Sequence, residues 1–184
     1  EARIDAARNA WYRGWVAEAI GKFYATQDIL DASGRRHRGL LTADDMARWA
    51  ATVEDPIAYD YHGTTVLKVG PWSQGPAMLQ TLALLKGFDI AAMDPDGADF
   101  VHTAVEAMKL AYADREAYYG DPDHAEVPLA HLLGDAYNDE RRKLIGATAS
   151  MELRPGTVPG FTPTVDREAN KRATIGRPLH NTQA

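Results

Sequence analysis

The stretch from Pro76 to Leu85 (Pro-Ala-Met-Leu-Gln-Thr-Leu-Ala-Leu-Leu) has almost no polar side. Proline suits the first turn of a helix, and no residue after it breaks one. Met78, Leu79, Leu82, Leu84 and Leu85 cover most of such a helix, so it must sit centrally with other elements around it. Gln80 and Thr81 interrupt the run well short of the ~18 apolar residues that a membrane helix needs. A second helix is predicted from about Asp99 to Tyr119, with Phe100, Ala104, Ala107, Met108, Ala111 and Tyr112 as its buried stripe. The chain has 184 residues, 45% of them apolar. A chain of that size buries roughly 70% of its unfolded surface around such a centre.

The remaining elements follow from local signals. Trp11, Trp15, Ala19 and Phe23 lie four apart, on one helix or on two short ones meeting at Gly14. Asp31 to Gly39 reads as a polar, glycine-bearing loop. Thr42 is an N-cap, with Asp44 and Asp45 placed for the helix dipole. Pro56 ends regular structure before a strand, turn and β-branched strand from Tyr59 to Val69. Two shorter helices are predicted around Pro128 to Leu133 and Asp135 to Ile145. After Arg154, prolines and glycines punctuate thirty residues without sustained periodicity, which marks a linker, an arm or a segment that another chain covers. The expected class is α+β, mostly helical with a small β element, with residues 1–154 as a helical portion and 155–184 as an extended tail.

Composition excludes several chemistries. The chain has no cysteine, which removes disulfides, thiolate metal sites and cysteine nucleophiles together. Twenty basic against twenty-six acidic residues give a net charge of −6, a poor balance for nucleic-acid binding. Arg35, Arg36 and Arg38 form the one basic cluster, in a loop where a solvated turn explains them. Val69-Gly70-Pro71-Trp72-Ser73-Gln74-Gly75 is placed like a nucleophile elbow, but Pro71 occupies the first glycine position. Proline cannot adopt positive φ, so a turn is the simpler reading of Ser73. His124 beside Asp121 and Asp123, with His131 beyond, tempts a metal reading. No histidine pair has i,i+4 spacing, and the two acids can satisfy backbone donors in a turn. Trp11, Trp15 and Trp49 read as core or interface. Taken alone, these residues assemble no persuasive active site, no cofactor site and no metal site.

A run of segments nevertheless resembles one family. Glu106-Ala107-Met108-Lys109-Leu110-Ala111-Tyr112-Ala113-Asp114-Arg115, followed by Tyr119-Gly120-Asp121-Pro122-Asp123, is similar to the large-subunit signature of the γ-glutamyltransferase family. Tyr12-Arg13-Gly14 with Ala17-Glu18-Ala19-Ile20, Thr42-Ala43-Asp44-Asp45-Met46, Tyr61-His62-Gly63, the turn from Pro71 to Gly75, Phe88-Asp89 and Arg154-Pro155-Gly156 match further family segments in the same order. The turn departs from the family's pattern of consecutive prolines, two serines and two glycines.

The resemblance implies an N-terminal nucleophile hydrolase whose αββα sandwich is completed by parts outside this chain. Members are made as one precursor that cuts itself before a threonine. That threonine then begins a small subunit and serves as nucleophile, its own α-amino group acting as base. On this reading the chain is the C-terminal part of a large subunit, carries no catalytic residue, and ends at or within a few residues of the cleavage point, at Ala184. Thr182 is followed by two residues only, too few to be a small subunit. The implied partner is the small subunit, in an αβ heterodimer or multiples of it, acting on a small-molecule amide with no cofactor. The compartment stays open between cytoplasmic and periplasmic or secreted. Three other readings remain: a related acylase with a different amide substrate, a non-catalytic helical interaction domain using the tail as an arm, and a serine hydrolase using Ser73.

Overall fold

The structure, a computed structural model, describes residues 1–30 and 34–165. The chain divides into two compact units, Glu1–Val53 and Glu54–Ala184. The class is α+β as expected: mostly helical, with two small antiparallel strand pairs.

In the first unit, helix α1 (Ala2–Tyr12) and helix α2 (Trp15–Thr26) break at Gly14, the alternative that the glycine had offered. Within the predicted loop, the two-residue strand β2 (Arg36–His37) pairs antiparallel with β1 (Ile29–Leu30), which precedes it. Helix α3 (Ala43–Arg48) starts with a reciprocal cap. The Thr42 hydroxyl accepts from the Asp45 N–H at 3.1 Å, and the Asp45 carboxylate accepts from the Thr42 N–H at 2.9 Å. The Thr42 hydroxyl, which also donates to the Asp45 carboxylate at 2.6 Å, the Thr42 N–H and Arg48 together hold the Asp45 carboxyl below its ordinary value. Only Ala17 and Met46 are buried among the described residues of this unit. Trp11, Trp15 and Trp49 are exposed, so the core reading of the tryptophans fails here. Trp49 stacks on Tyr12 with ring centroids 5.4 Å apart.

The second unit is built on the apolar helix, α4 (Gly75–Leu85), with Pro76 in its first turn. Strands β3 (Ile57–Tyr61) and β4 (Thr64–Lys68) form a hairpin, Tyr59 opposite Val66. Its connection, His62-Gly63, has positive φ at both residues (50° and 80°), the backbone that matches strand twist in a two-residue turn. Tyr59 packs on Leu79 and Ala83 of α4. Helix α5 (Ala98–Tyr118) meets the same helix through Ala107, Leu110 and Ala111 against Leu84. Helices α6 (Leu129–Leu132) and α7 (Asp135–Arg142) follow. From α7, Arg142 donates to the carbonyls of Leu84 and Ala83 at 2.7 and 2.8 Å, satisfying the last turn of α4 that has no intrahelical donors. Asp135, at the start of α7, accepts from the Tyr59 hydroxyl (2.8 Å) and Lys86 (3.0 Å), tying the hairpin to the C-terminal end of α4.

The buried stripe of α5 differs from the predicted one. Met108 and Tyr112 are exposed, and Phe100 and Ala104 are only half-buried. Ala107 and Ala111 are buried as predicted, but the buried side around them carries Thr103, Glu106, Leu110, Asp114 and Ala117. At 3.6 residues per turn this is a rotation of about a quarter turn. Its cause is two carboxylates that the apolar pattern could not include.

Leu84 has no exposed surface and is surrounded by α5. Leu84→Ala is expected to destabilise the protein by about 2–5 kcal/mol, since α4 cannot collapse into the cavity. Urea unfolding should show a lower midpoint at unchanged slope. A loss below ~1 kcal/mol would mean that α4 is not the centre of the core.

Candidate functional site

Two acids on the buried side of α5 organise the chain beyond α7. Glu106 and Asp114 are eight residues apart, hence on one face, and their side chains are 2% and 0% exposed. An ionised carboxylate in such a place is costly unless its lone pairs are filled. Both are filled, and by the same stretch of backbone.

Glu106 accepts from Lys109, from the Ser150 N–H at 3.2 Å and from Arg154 Nη2 at 2.8 Å. Lys109 also donates to the Ser150 carbonyl, and Arg154 Nη1 to that of Leu144 at 2.9 Å. Burial pushes the Glu106 carboxyl up. The hydrogen bonds from Lys109 and Ser150, the Lys109 charge and Arg154 together outweigh burial and hold it below its ordinary 4.5.

Asp114 takes five donors. Oδ1 accepts from the Gly156 N–H (2.7 Å) and Arg141 Nη2 (3.1 Å). Oδ2 accepts from Gln80 Nε2 (2.7 Å), the Tyr137 hydroxyl (3.0 Å) and Arg141 Nε (3.3 Å). Burial and the Asp114 charge both raise the Tyr137 phenol far above its ordinary value, so it stays a donor. Position 156 must be glycine, because a Cβ there would collide with the Tyr137 hydroxyl and the Arg141 stem. Arg141 also bonds the Arg154 carbonyl, and the Tyr118 hydroxyl bonds that of Gly156 at 2.7 Å. Beyond, Val158 is buried against Ala117, Tyr118 and Leu132. The Thr164 N–H reaches the Ala117 carbonyl at 2.9 Å. The segment from Ser150 to Val165 is therefore fixed along α5. It has no regular hydrogen-bond ladder of its own.

The other candidates resolve into structural roles. The Ser73 Oγ accepts from the Gly75 N–H at 3.0 Å within the turn that starts α4. Asp121 takes the Asp123 N–H at 2.9 Å, the turn that the acids alone predicted. His124 is exposed at 3.9 Å from Asp121, and His131 lies against the Tyr137 ring. Among the described residues, no group of three or more His, Asp or Glu side chains is placed to hold a metal ion. Arg36 donates to the Asp28 carbonyl and Arg38 to its carboxylate. Thr182 and Ala184 lie outside the described residues. Sequence reasoning quoted Glu106, Asp114, Arg154 and Gly156 without assigning them this contact. The available signal was two acids eight apart on a face whose other members are mostly alanine.

The depressed Glu106 value fixes the sign of a pH effect. Its contribution to stability is complete above the unfolded value near 4.5 and is lost as pH falls through the lower folded value. Glu106→Gln is expected to cost about 3–5 kcal/mol at neutral pH, because Lys109 and Arg154 lose their buried counter-charge. That deficit should shrink as pH drops below the unfolded value. Denaturation midpoints of both proteins at about pH 7 and about pH 3.5 test it, and an equal gap at both would refute the charge argument.

Comparison with known proteins places this geometry. The family model described as gamma-glutamyltranspeptidase matches residues 4–177. The glutathione hydrolase proenzyme of Escherichia coli (strain K12) is 35% identical over 150 residues, covering 79% of this chain and 24% of that protein. The acylase ACY 1 proenzyme of Pseudomonas sp. (strain SE83) is 37% identical over 138 residues, 74% of this chain and 23% of its own length. The solved structure of LmbA2991HD superposes with a TM-score of 0.74 at 52% identity, over 90% of this chain and 27% of that one. The chain thus spans about a quarter of the length of the curated relatives it matches. With a matching model over nearly its whole length, both acids and the segment they hold included, this chain belongs to the gamma-glutamyltranspeptidase family.

Proposed function

We propose that this chain is the C-terminal part of the large subunit of a self-processing amidohydrolase or acyltransferase. The observation that carries the reading is the family match together with relatives named as proenzymes, each about four times longer than the matched region. Residues 1–154 supply the helical portion, and the tail from Pro155 leads to a self-cleavage point at or near Ala184. The small subunit released there begins with threonine and joins this subunit as an αβ heterodimer, the two together completing an αββα sandwich.

The reaction needs no group from this chain at the reacting atoms. The threonine hydroxyl adds to the substrate amide carbonyl while the free α-amino group takes its proton. Donors around the oxyanion stabilise the tetrahedral intermediate, which collapses to an acyl-enzyme as the amine leaves with that proton. Water then releases the acid, or a second amine takes the acyl group. The part of this chain is upstream. Glu106 and Asp114 set the path of the polypeptide that runs toward the cut, which fits a precursor whose scissile bond must be presented before any nucleophile exists.

The acyl group is γ-glutamyl or a related one. A second reading, an acylase acting on a different amide, is favoured by the turn from Gly70 to Pro76, which departs from the transferase pattern, and by the likeness to ACY 1.

The full-length precursor should appear after expression as two polypeptides, the smaller starting in threonine by N-terminal sequencing. Replacing that threonine by alanine should abolish both the cut and amide hydrolysis. Hydrolysis of a γ-glutamyl amide or an acylase substrate by this chain alone would sink the proposal, as would an active, uncut precursor.

A further inference from the structure

The segment from Ser150 to Val165 has neither helix nor strand, yet it is fastened at successive points along α5. The inner anchor is Glu106, which accepts from the Ser150 N–H and from Arg154. The outer anchors lie further along the same helix. Asp114 accepts from the Gly156 N–H, and Val158 is buried beside Ala117 and Tyr118. Thr164 then closes the end of α5. Its N–H donates to the Ala117 carbonyl at 2.9 Å, and its hydroxyl lies 3.1 and 3.3 Å from the Ala117 and Glu116 carbonyls. Those two carbonyls are in the last turn, where a helix has no donors of its own to offer. Each anchor holds the chain at a point nearer the proposed cut than the one before it.

We propose that Gly156 and Thr164 are positioning residues for self-cleavage, setting its rate through the length of the loop that must close around the scissile bond. The inference rests on the proposed precursor reading and adds to it which residues of this chain govern the cut, and by what means. The cut consumes one water: the peptide bond before the threonine breaks, this chain keeps the new carboxylate, and the small subunit keeps the new amine. Cleavage draws on molecules whose scissile bond is already in place, and that population falls as about the three-halves power of loop length. Fastened at Thr164, the loop begins about 20 residues before the proposed cut. Freed of every anchor it would begin at the end of α7, about 42 residues before the cut, and the closed population would fall about threefold. The inner anchor does not enter this count, because the outer ones stand between it and the cut. Rate and stability therefore depend on different residues of one segment.

Pulse–chase labelling of the full-length precursor in cell-free translation follows the cut on a gel. Thr164→Pro, at an exposed position, removes both the N–H and the hydroxyl and moves the last anchor back to Val158, so cleavage should slow about 1.5-fold. Gly156→Ala sets a methyl against the Tyr137 hydroxyl and the Arg141 stem, unseats the outer anchors and leaves Glu106 in charge, so cleavage should slow about twofold. Lys109→Met takes bonds from Glu106 and the Ser150 carbonyl, loosens the inner anchor alone, and should be cut at the wild-type rate. Urea midpoints of the cut proteins are measured alongside, with Lys109→Met expected below Thr164→Pro. A purely structural role would rank the rates by those midpoints. That ranking, or equal rates in all four proteins, would overturn the inference. A wild-type precursor that stays whole would defeat the processing reading and this inference with it, whereas a wild-type precursor cut no faster than the outer-anchor variants defeats this inference alone.

Discussion

The Asp114 carboxylate is the junction on which the second unit depends. It is fully buried, and desolvating such an ion costs several kcal/mol before any bond is made. Its five donors come from three places far apart in sequence: Gln80 on α4, Tyr137 and Arg141 on α7, and the Gly156 backbone. No local segment can satisfy it. The acid is tolerable only when α4, α5, α7 and the segment after them are all in place, so one side chain couples four pieces of structure that apolar contact alone would leave freer to slide.

Around that junction the division of labour is clear. Apolar burial joins α4 to α5 through Leu84, Leu110 and two alanines, a contact without much directional preference. Polar groups supply direction. Arg142 fixes the end of α4, Asp135 fixes the hairpin, and Glu106 and Asp114 fix the outgoing chain at two points along a single helix. The spacing of those acids makes α5 a rail, with residues 150–154 held at one station and residue 156 at the next.

Much of this was legible in the sequence. The central helix, the Thr42 cap and the hairpin turning at His62-Gly63 each follow from local rules that the structure obeys, and of the two readings open at Gly14 the structure takes the break. The orientation of α5 did not follow, because an apolar-stripe rule ranks Met108 and Tyr112 above Glu106 and Asp114. Partners at sequence separations of 23 to 48 residues reverse that order, and spacing does not reveal them. Trp15, at 72% exposure, illustrates the same limit: helical periodicity identifies a face, but what covers it is a property of the surrounding polypeptide.

The first unit bears out that distinction most sharply. Its three helices are well formed and mutually in contact, the third with a reciprocal cap, yet only an alanine and a methionine are buried among its described residues. Secondary structure and a hydrophobic core normally arrive together in a segment of fifty residues, and here they are uncoupled. Residues 1–53 thus hold three helices with little apolar burial of their own among the described residues. The second unit, where Leu79, Leu84, Leu110 and Leu132 are all fully buried, thus carries nearly all of the apolar burial among the described residues, so secondary structure and core are spread unequally along one chain.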